Sequence, residues 1–245
     1  MQEQVQILNQ YVKQFNLKEK ALMNKFHHTF RVMEYCMEIA KSLHLNDEEI
    51  KIAGMIGLLH DIGRFEQWTK YHTYCDADSI DHADLGVKIL KNDNFISSFT
   101  SDIEMQKIIL IAVKNHNKIE IESMSDRALL FTKIIRDADK LDILLEQGNQ
   151  IRSENPILND KLIESIQKHE LCKNTDGNGT DEDSILRSLA FLFDIHFDYT
   201  LKYIQEKEVM QKKINLLEIY FPDNPKIKEI KKIIIEYIEK RLKSC

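Results

Sequence analysis

The chain has 245 residues, of which 43% are hydrophobic and 30% are charged, and its formal net charge is −6. Lysines and arginines are dispersed along the chain, so the basic patch typical of a nucleic-acid-binding surface is missing and we expect no duplex nucleic-acid partner. Only 7 glycines and 3 prolines interrupt the sequence, which predicts an all-α protein rather than one of many short strands.

The first twenty residues alternate polar and apolar side chains at helical spacing and lack the continuous apolar stretch of a signal peptide. No apolar run approaches the roughly 20 residues that cross a bilayer. The cysteines form no C-x-x-C pair and follow no regular spacing; they are Cys36, Cys75, Cys172 and Cys245. We therefore expect a cytoplasmic protein with reduced thiols and no membrane partner.

Apolar side chains recur at helical spacing from the N-terminus, first through Val5, Leu8 and Val12 and then through Val32 to Leu43. A capping pattern at Asn46 and Glu49 predicts a helix running toward Asp61. The same pattern in SDIE, residues 101–104, predicts one running toward His116. Periodicity predicts further helices over 82–92, 126–147, 155–169, 183–206, 207–220 and 225–243.

Two segments break this helical pattern. Residues 64–81 mix aromatic, charged and histidine side chains with little periodicity, which predicts a long functional loop. Residues 172–184 are rich in Gly, Asp and Asn and predict a mobile loop. A calcium loop there is disfavoured because Asp181 and Arg187 stand where Gly and Glu are needed. We expect a metal-binding helical core over 1–150 and a helical extension over 151–245 that packs on it.

The phase of each histidine on its helix indicates whether it faces the core. Steps of three and four residues from His28 reach Val32 and Ile39, whereas the same steps from His27 reach charged residues such as Arg31. His28 is therefore predicted to point inward and His27 toward water. A single inward histidine is more often a hydrogen-bonded core residue than a ligand.

The stretch LLHDIGRF, residues 58–65, ends an apolar run on His60 and Asp61. Ala53, Gly54 and Gly57 would let a neighbouring helix approach this run closely. A carboxylate buried there costs several kcal/mol unless it is paired or coordinates a cation. The alternative is an aspartate that caps the helix end beside a structural histidine.

Other helices carry inward His or Asp as well. His116 lies on the face of Ile109 and Val113, Asp139 follows a stripe through Ile135, and His82 opens a further helix. Such ligands without cysteine suit Mn, Fe, Co, Zn or Ni. The six candidates are more than one tetrahedral zinc needs and would suffice for two ions bridged by Asp61. Two-metal sites of this kind stabilise the attacking and the leaving oxygen in phosphoryl transfer. The six candidates are His28, His60, Asp61, His82, His116 and Asp139.

Over about residues 21–147 this pattern resembles the HD-domain phosphohydrolase superfamily, whose signature is an isolated His, a His-Asp doublet and a distant Asp. The matching segments are HHTFRV, LLHDIGRF and RDADKLD. The resemblance implies an all-α fold, one or two divalent or iron-type ions (Mn, Fe, Co, Zn, Ni or Mg) and hydrolysis of phosphate esters. His82 and His116 match the additional histidines of members that bind a second metal.

The chain departs from two branches of that superfamily. It lacks the Gly-Tyr-Pro block that follows the position of His116 in the cyclic-dinucleotide phosphodiesterases. It also has Arg64 where the single-metal deoxynucleotidases have an acidic residue. Neither substrate class can therefore be transferred to this chain.

The resemblance also suggests substrate contacts. Arg64 stands where basic residues meet substrate phosphate, the alternative being a salt bridge to a nearby acid. Lys140 would act as a second catalytic cation or else face solvent, and Asp142 would accept a hydrogen bond from a metal-bound histidine. Trp68 would stack on a base or anchor the segment by packing. The remaining expected substrate contacts are Lys70, Tyr71, His72 and Tyr74.

These residues predict a metal-dependent phosphohydrolase acting on a nucleotide or another small phosphorylated metabolite. Metal-activated water would attack phosphorus, and Asp61 would orient or deprotonate it. One alternative is a nucleotide-sensing module with a retained metal site and no turnover. Others are a carbon-nitrogen hydrolase or an oxygenase on the same ligands. Residues 151–245 carry no motif and would complete the core or form a homodimer face.

Overall fold

The computed structural model describes residues 1–146, 150–173, 176–177 and 179–243. These residues form α-helices joined by short 3-10 turns and loops, and no strand occurs among them, so the all-α prediction is confirmed. None of the described helices is long and apolar enough to span a membrane. Residues 174, 175 and 178 of the expected mobile loop lie outside the described residues, as does Cys245.

The chain divides into two compact units, Met1–Asp139 and Lys140–Cys245. Their boundary falls within one long helix, and the division expected at residue 150 stays a prediction. The helices of the first unit are α1 (Gln2–Val12), α2 (Lys20–Ser42), α3 (Asp47–Leu59), α4 (Ile62–Tyr71), α5 (His82–Lys91), α6 (Ile103–Asn115) and the first part of α7 (Asp126–Glu146). Short 3-10 turns occupy Asp76–Asp78 and Asn92–Ser98.

The helices of the second unit, after the end of α7, are α8 (Asp160–Gln167), α9 (Asp181–Ala190), α10 (Asp198–Glu206), α11 (Val209–Tyr220) and α12 (Pro225–Lys243). Two predictions need correction here. The helix expected from residue 155 begins at Asp160, where the Asn159 side chain accepts from the Lys161 N–H at 3.1 Å. The helix expected over 183–206 is two helices, because residues 195–197 are extended after a 3-10 turn at Phe191–Asp194.

Capping determines where α3 and α6 begin. At α3 the Asn46 side chain accepts from the Glu49 N–H at 3.0 Å, and the Glu49 carboxylate accepts from the Asn46 N–H at 3.3 Å. This capping box was predicted. At α6 the cap is Asp102 rather than Ser101, and it accepts from the backbone of Glu104 and Met105.

Helices α2 and α3 pack closely through the small residues noted in the sequence. A Cβ added to Gly57 would lie 2.7 Å from the Cα of Met33, so only glycine allows this approach. The face of α2 that meets the core carries Val32, Cys36 and Ile39, which are fully buried. His28 continues that face and is buried, while His27 is exposed, as the helical phase predicted.

The predicted loop over 64–81 is wrong for its first half. Residues Ile62–Tyr71 form α4, which His72 ends in the left-handed region with φ 53. The buried face of α4 includes the polar Gln67 beside Ile62 and Phe65. Because a polar residue interrupts the apolar pattern of this face, the sequence does not show helical periodicity there. The rest of the segment is a connection to α5 that contains the 3-10 turn.

Candidate metal centre

The six predicted ligands converge in the first unit, and five helices deliver them. His28 lies on α2, Asp139 lies on α7, His82 opens α5 and His116 follows the last residue of α6. His60 and Asp61 form the junction between α3 and α4. The four histidines and Asp61 are buried, with His60 and Asp61 only 0% and 2% exposed, and the Asp139 side chain is 16% exposed.

The carboxylate of Asp61 lies between two pairs of histidines. Its Oδ2 is 3.4 Å from Nε2 of His28 and 3.5 Å from Nε2 of His60. Its Oδ1 is 3.3 Å from Nε2 of His82 and 3.7 Å from Nε2 of His116. One carboxylate therefore presents an oxygen to each pair, as a ligand that bridges two ions would.

We call the cluster of His28, His60, Asp139 and Asp61 Oδ2 the first position. Here Asp139 Oδ1 lies 3.2 Å from His28 Nε2 and 3.7 Å from His60 Nε2. The second position consists of His82, His116 and Asp61 Oδ1. The two Nε2 atoms are 3.2 Å apart in the first position and 3.0 Å apart in the second.

Hydrogen bonds at the opposite ring nitrogens fix which nitrogen carries the lone pair. His60 donates from Nδ1 to the Gly57 carbonyl and His116 donates from Nδ1 to the Val113 carbonyl, each at 2.7 Å. A neutral imidazole that donates from Nδ1 presents its lone pair at Nε2. Burial lowers the pKa of His60 to about 3 and that of His82 to about 4, so both rings are neutral near pH 7.

This donor set fits a cation at each position. In the second position the Nε2 lone pairs of His82 and His116 face each other at 3.0 Å and repel unless a positive charge lies between them. Ligand atoms about 2.0–2.2 Å from a shared ion stand roughly 3 Å apart, as these do. Among the described residues, three groups of side chains lie close enough to hold a metal: His28, His60 and Asp139; His60, Asp61 and His116, which draws on both positions; and Asp76, Asp81 and His82.

Two cationic side chains lie beside Asp61. Lys25 Nζ is 2.8 Å from Asp61 Oδ2, and Arg64 Nε is 3.5 Å from Oδ1. Burial alone would raise the pKa of Asp61, but the Lys25 ammonium and the surrounding imidazoles hold that pKa well below its ordinary value. The Lys25 ammonium and the Arg64 guanidinium carbon each lie 5.6 Å from the centroid of the Tyr74 ring.

Asp76 supports the second position. His82 donates from Nδ1 to Asp76 Oδ2 at 2.7 Å, while Arg64 Nη1 and Gln67 Nε2 donate to Oδ1 at 3.0 and 2.9 Å. Burial would raise the pKa of Asp76, but the His82 and Arg64 contacts hold it well below its usual range. The carboxylate is therefore charged where it meets the histidine.

Sequence reasoning missed four residues of this centre. Lys25 precedes His28 by three residues on one helix, and that spacing was an available signal. Asp76 and Gln67 lie in the segment that the sequence predicts to be a loop, where no periodicity distinguishes them. Arg136 is fully buried and donates from Nη1 to the carbonyls of Asn115 and His116 at 3.0 and 3.3 Å, which holds the end of α6.

The predicted substrate contacts in the first unit separate into two groups. Arg64 and Tyr74 join the centre, and Arg64 makes the salt bridge to a nearby acid that was the alternative to phosphate binding. Trp68 packs on Tyr74 with ring centroids 4.8 Å apart and donates from Nε1 to Glu19. The others lie at the exposed end of α4, where Lys70 pairs with Glu66 on the helix surface; they are Lys70, Tyr71 and His72.

The two remaining predicted residues belong to the second unit. Lys140 lies 2.8 Å from a carboxylate oxygen of Asp194 and 5.8 Å from the ring centroid of Phe191. Asp142 is buried. The catalytic role of Lys140 and the accepting role of Asp142 stay predictions.

The fold and centre define a helical domain in which several helices bring His and Asp side chains to one buried cluster. Residues 26–144 match the family profile described as HD domain, so the chain contains a domain of the HD-domain superfamily. HD domains are generally metal-dependent hydrolases, and the His/Asp groups of this chain could hold a metal. No curated protein and no solved structure shows a significant match to the chain.

Proposed function

We propose that this protein is a metal-dependent phosphohydrolase that cleaves a phosphate ester of a nucleotide or another small phosphorylated metabolite. The observation that carries the proposal is the Asp61 carboxylate, which presents one oxygen to His28 and His60 and the other to His82 and His116. A cytoplasmic location, and a small phosphorylated partner rather than duplex nucleic acid or a membrane, belong to the same proposal.

The ligands separate into two sets that share Asp61. His28, His60 and Asp139 would hold one ion at the first position, and His82 and His116 would hold another at the second. Two divalent ions there would activate a water and offset charge on the phosphate oxygens. Because its pKa is held low, Asp61 is an unprotonated carboxylate that can accept a hydrogen bond from a water and so orient it.

Arg64 and Lys25 are suited to bind the phosphate group. Arg64 Nε is buried, lies 3.5 Å from Asp61 Oδ1 and makes no hydrogen bond to any described residue, so the guanidinium keeps an unused N–H beside the proposed ligands. Guanidinium binds phosphate through paired N–H groups, and ammonium binds it as a point charge. The ring of Tyr74, on which Trp68 packs, lies near these cations, and this aromatic pair supports a substrate that carries a nucleobase.

Phosphate release tests the proposal. Purified protein loaded with Mn²⁺ should release inorganic phosphate from an aryl phosphate or from members of a nucleotide panel. Asp61→Asn should lower the rate at least about 10³-fold, because it removes the charge shared by both positions. Asp78→Asn is the matched control, since Asp78 is exposed on the 3-10 turn and should keep the wild-type rate.

The contrary results are distinct. A metal-loaded protein that binds nucleotides without releasing phosphate would contradict hydrolysis and support the sensing module. Oxygen consumption by a reduced iron-loaded protein, with no phosphate release, would instead support an oxygenase.

A further inference from the structure

Asp76 differs in kind from the groups that accept from Nδ1 of His60 and of His116. His60 and His116 donate from Nδ1 to backbone carbonyls of their own helices. The Nδ1 of His82 instead lies 2.7 and 2.9 Å from the two oxygens of Asp76. His82 thus depends on a charged side chain from the connection before its own helix.

The surroundings of Asp76 hold its carboxylate in place. Gln67, which is fully buried on α4, donates from Nε2 to Asp76 Oδ1 at 2.9 Å and also to Ser79 Oγ and the Ile80 carbonyl. Arg64 Nη1 donates to the same Oδ1 at 3.0 Å. Asn117, next to His116, donates to Oδ2 at 3.3 Å. Asp76 is thereby anchored to α4 and to the residue that follows His116.

We propose that Asp76 is the positioning residue of the second position: it sets the orientation and donor strength of His82, so that the second ion binds tightly only when this carboxylate is present. The inference rests on the proposed function, since it presumes that both positions hold ions. A carboxylate that accepts from the far nitrogen of a ligating histidine fixes the ring and makes the near nitrogen a better donor.

Removal of the Asp76 carboxylate should lower the metal affinity of the second position only. The first position is built from His28, His60, Asp139 and Asp61 Oδ2, and the contacts described above for Asp76 join it to none of these. Loss of such a supporting partner lowers metal affinity by about 10–100-fold. Without Asp76 the protein should bind one ion as before and the second ion about 10–100-fold more weakly.

Titration calorimetry of the metal-free full chain with Mn²⁺ tests this directly. Wild type should bind two ions. Asp76→Asn keeps the shape of the side chain and an acceptor oxygen but removes the charge. It should raise the dissociation constant of the second ion and leave that of the first ion unchanged. The electron paramagnetic resonance signal should change from that of a coupled Mn²⁺ pair to that of a single ion.

Two control variants separate positioning from other effects. Asp78→Asn lies on the same turn and is exposed, so it should bind two ions as wild type does. Arg64→Met removes one partner of Asp76 and leaves the His82 contact, so it should still bind two ions, the second no more weakly than in wild type. Loss of the second ion in Arg64→Met but not in Asp76→Asn would overturn the proposal.

The remaining outcomes each decide one question. Unchanged binding of two ions by Asp76→Asn would overturn the positioning role and leave the proposed function standing. Equal weakening of both ions would show a general structural role and would also overturn it. A wild-type chain that binds no ion would defeat the proposed function itself.

Discussion

The ammonium of Lys25 lies 2.8 Å from Oδ2 of Asp61, the same oxygen that faces His28 and His60 at 3.4 and 3.5 Å. The Lys25 side chain is 17% exposed and that of Asp61 is 3% exposed. The lysine therefore neutralises a buried carboxylate and also competes with any cation at the first position.

Lys25→Met should raise the affinity of the first position for Mn²⁺ by about tenfold. Two unit charges 4 Å apart interact by roughly 4 kcal/mol at an effective dielectric constant of 20. The repulsion between the Lys25 ammonium and a bound ion is smaller than this, because the lysine can move into water. Calorimetry would measure the rise, with the exposed Lys20→Met as the control on the same helix. Inorganic phosphate should bind the metal-loaded variant more weakly. An unchanged Mn²⁺ affinity would show that Lys25 does not compete with the ion at the first position.

Gly63→Ala should destabilise the protein by about 2–3 kcal/mol, because an added Cβ would lie 2.2 Å from the His82 carbonyl oxygen and 2.8 Å from the Gly86 nitrogen. These are backbone atoms, so α4 and α5 must separate. Urea unfolding measures the loss. At Gly86 a Cβ would first meet Ile62 Cγ2 at 3.3 Å, so Gly86→Ala should cost less than about 1 kcal/mol. Equal costs for the two variants would refute this account of the packing.

Tyr74→Phe should leave the free energy of unfolding unchanged or raise it by up to about 1 kcal/mol. The Tyr74 hydroxyl is buried and makes no hydrogen bond to any described residue, so its removal relieves an unsatisfied polar group. Burial, with Asp61 nearby, raises the pKa of Tyr74 well above its ordinary value, so the group is a neutral phenol. Thermal unfolding checks the variant. Tyr74→Leu should be destabilised, because it loses the ring that contacts Lys25 and Arg64.

Lys213 in the second unit should make stability rise with pH in alkaline solution. Burial lowers the pKa of Lys213 to about 8 from an ordinary 10.5. Between these values the unfolded chain binds the proton and the folded chain does not, so unfolding becomes less favourable as pH increases. The free energy of unfolding of wild type should therefore rise relative to Lys213→Met between about pH 8 and 10.5. A difference that stays constant over that range would disprove the depressed pKa.

The six candidate ligands, which the structure brings together, were accessible from the sequence largely through local regularity, while His82 depended on the family resemblance. The phase of about 3.6 residues per turn separated His28 from His27. The apolar runs that end at Asp61 and His116 marked buried helix ends. Gly57 indicated the close approach of a second helix, and the structure confirms that approach. Helix phase and termini are properties of neighbouring residues, so one sequence determines them.

Only the tertiary structure shows which side chains contact each of these candidate ligands. Whether Asp61 faces two pairs of histidines depends on how five helices pack, and sequence spacing does not encode those distances. The same holds for Asp76, whose segment has no periodicity, and for α4, whose buried Gln67 has polar partners in a distant connection. A polar side chain is stable in the interior when distant parts of the fold provide its hydrogen-bond partners. Its burial therefore cannot be predicted from the neighbouring sequence.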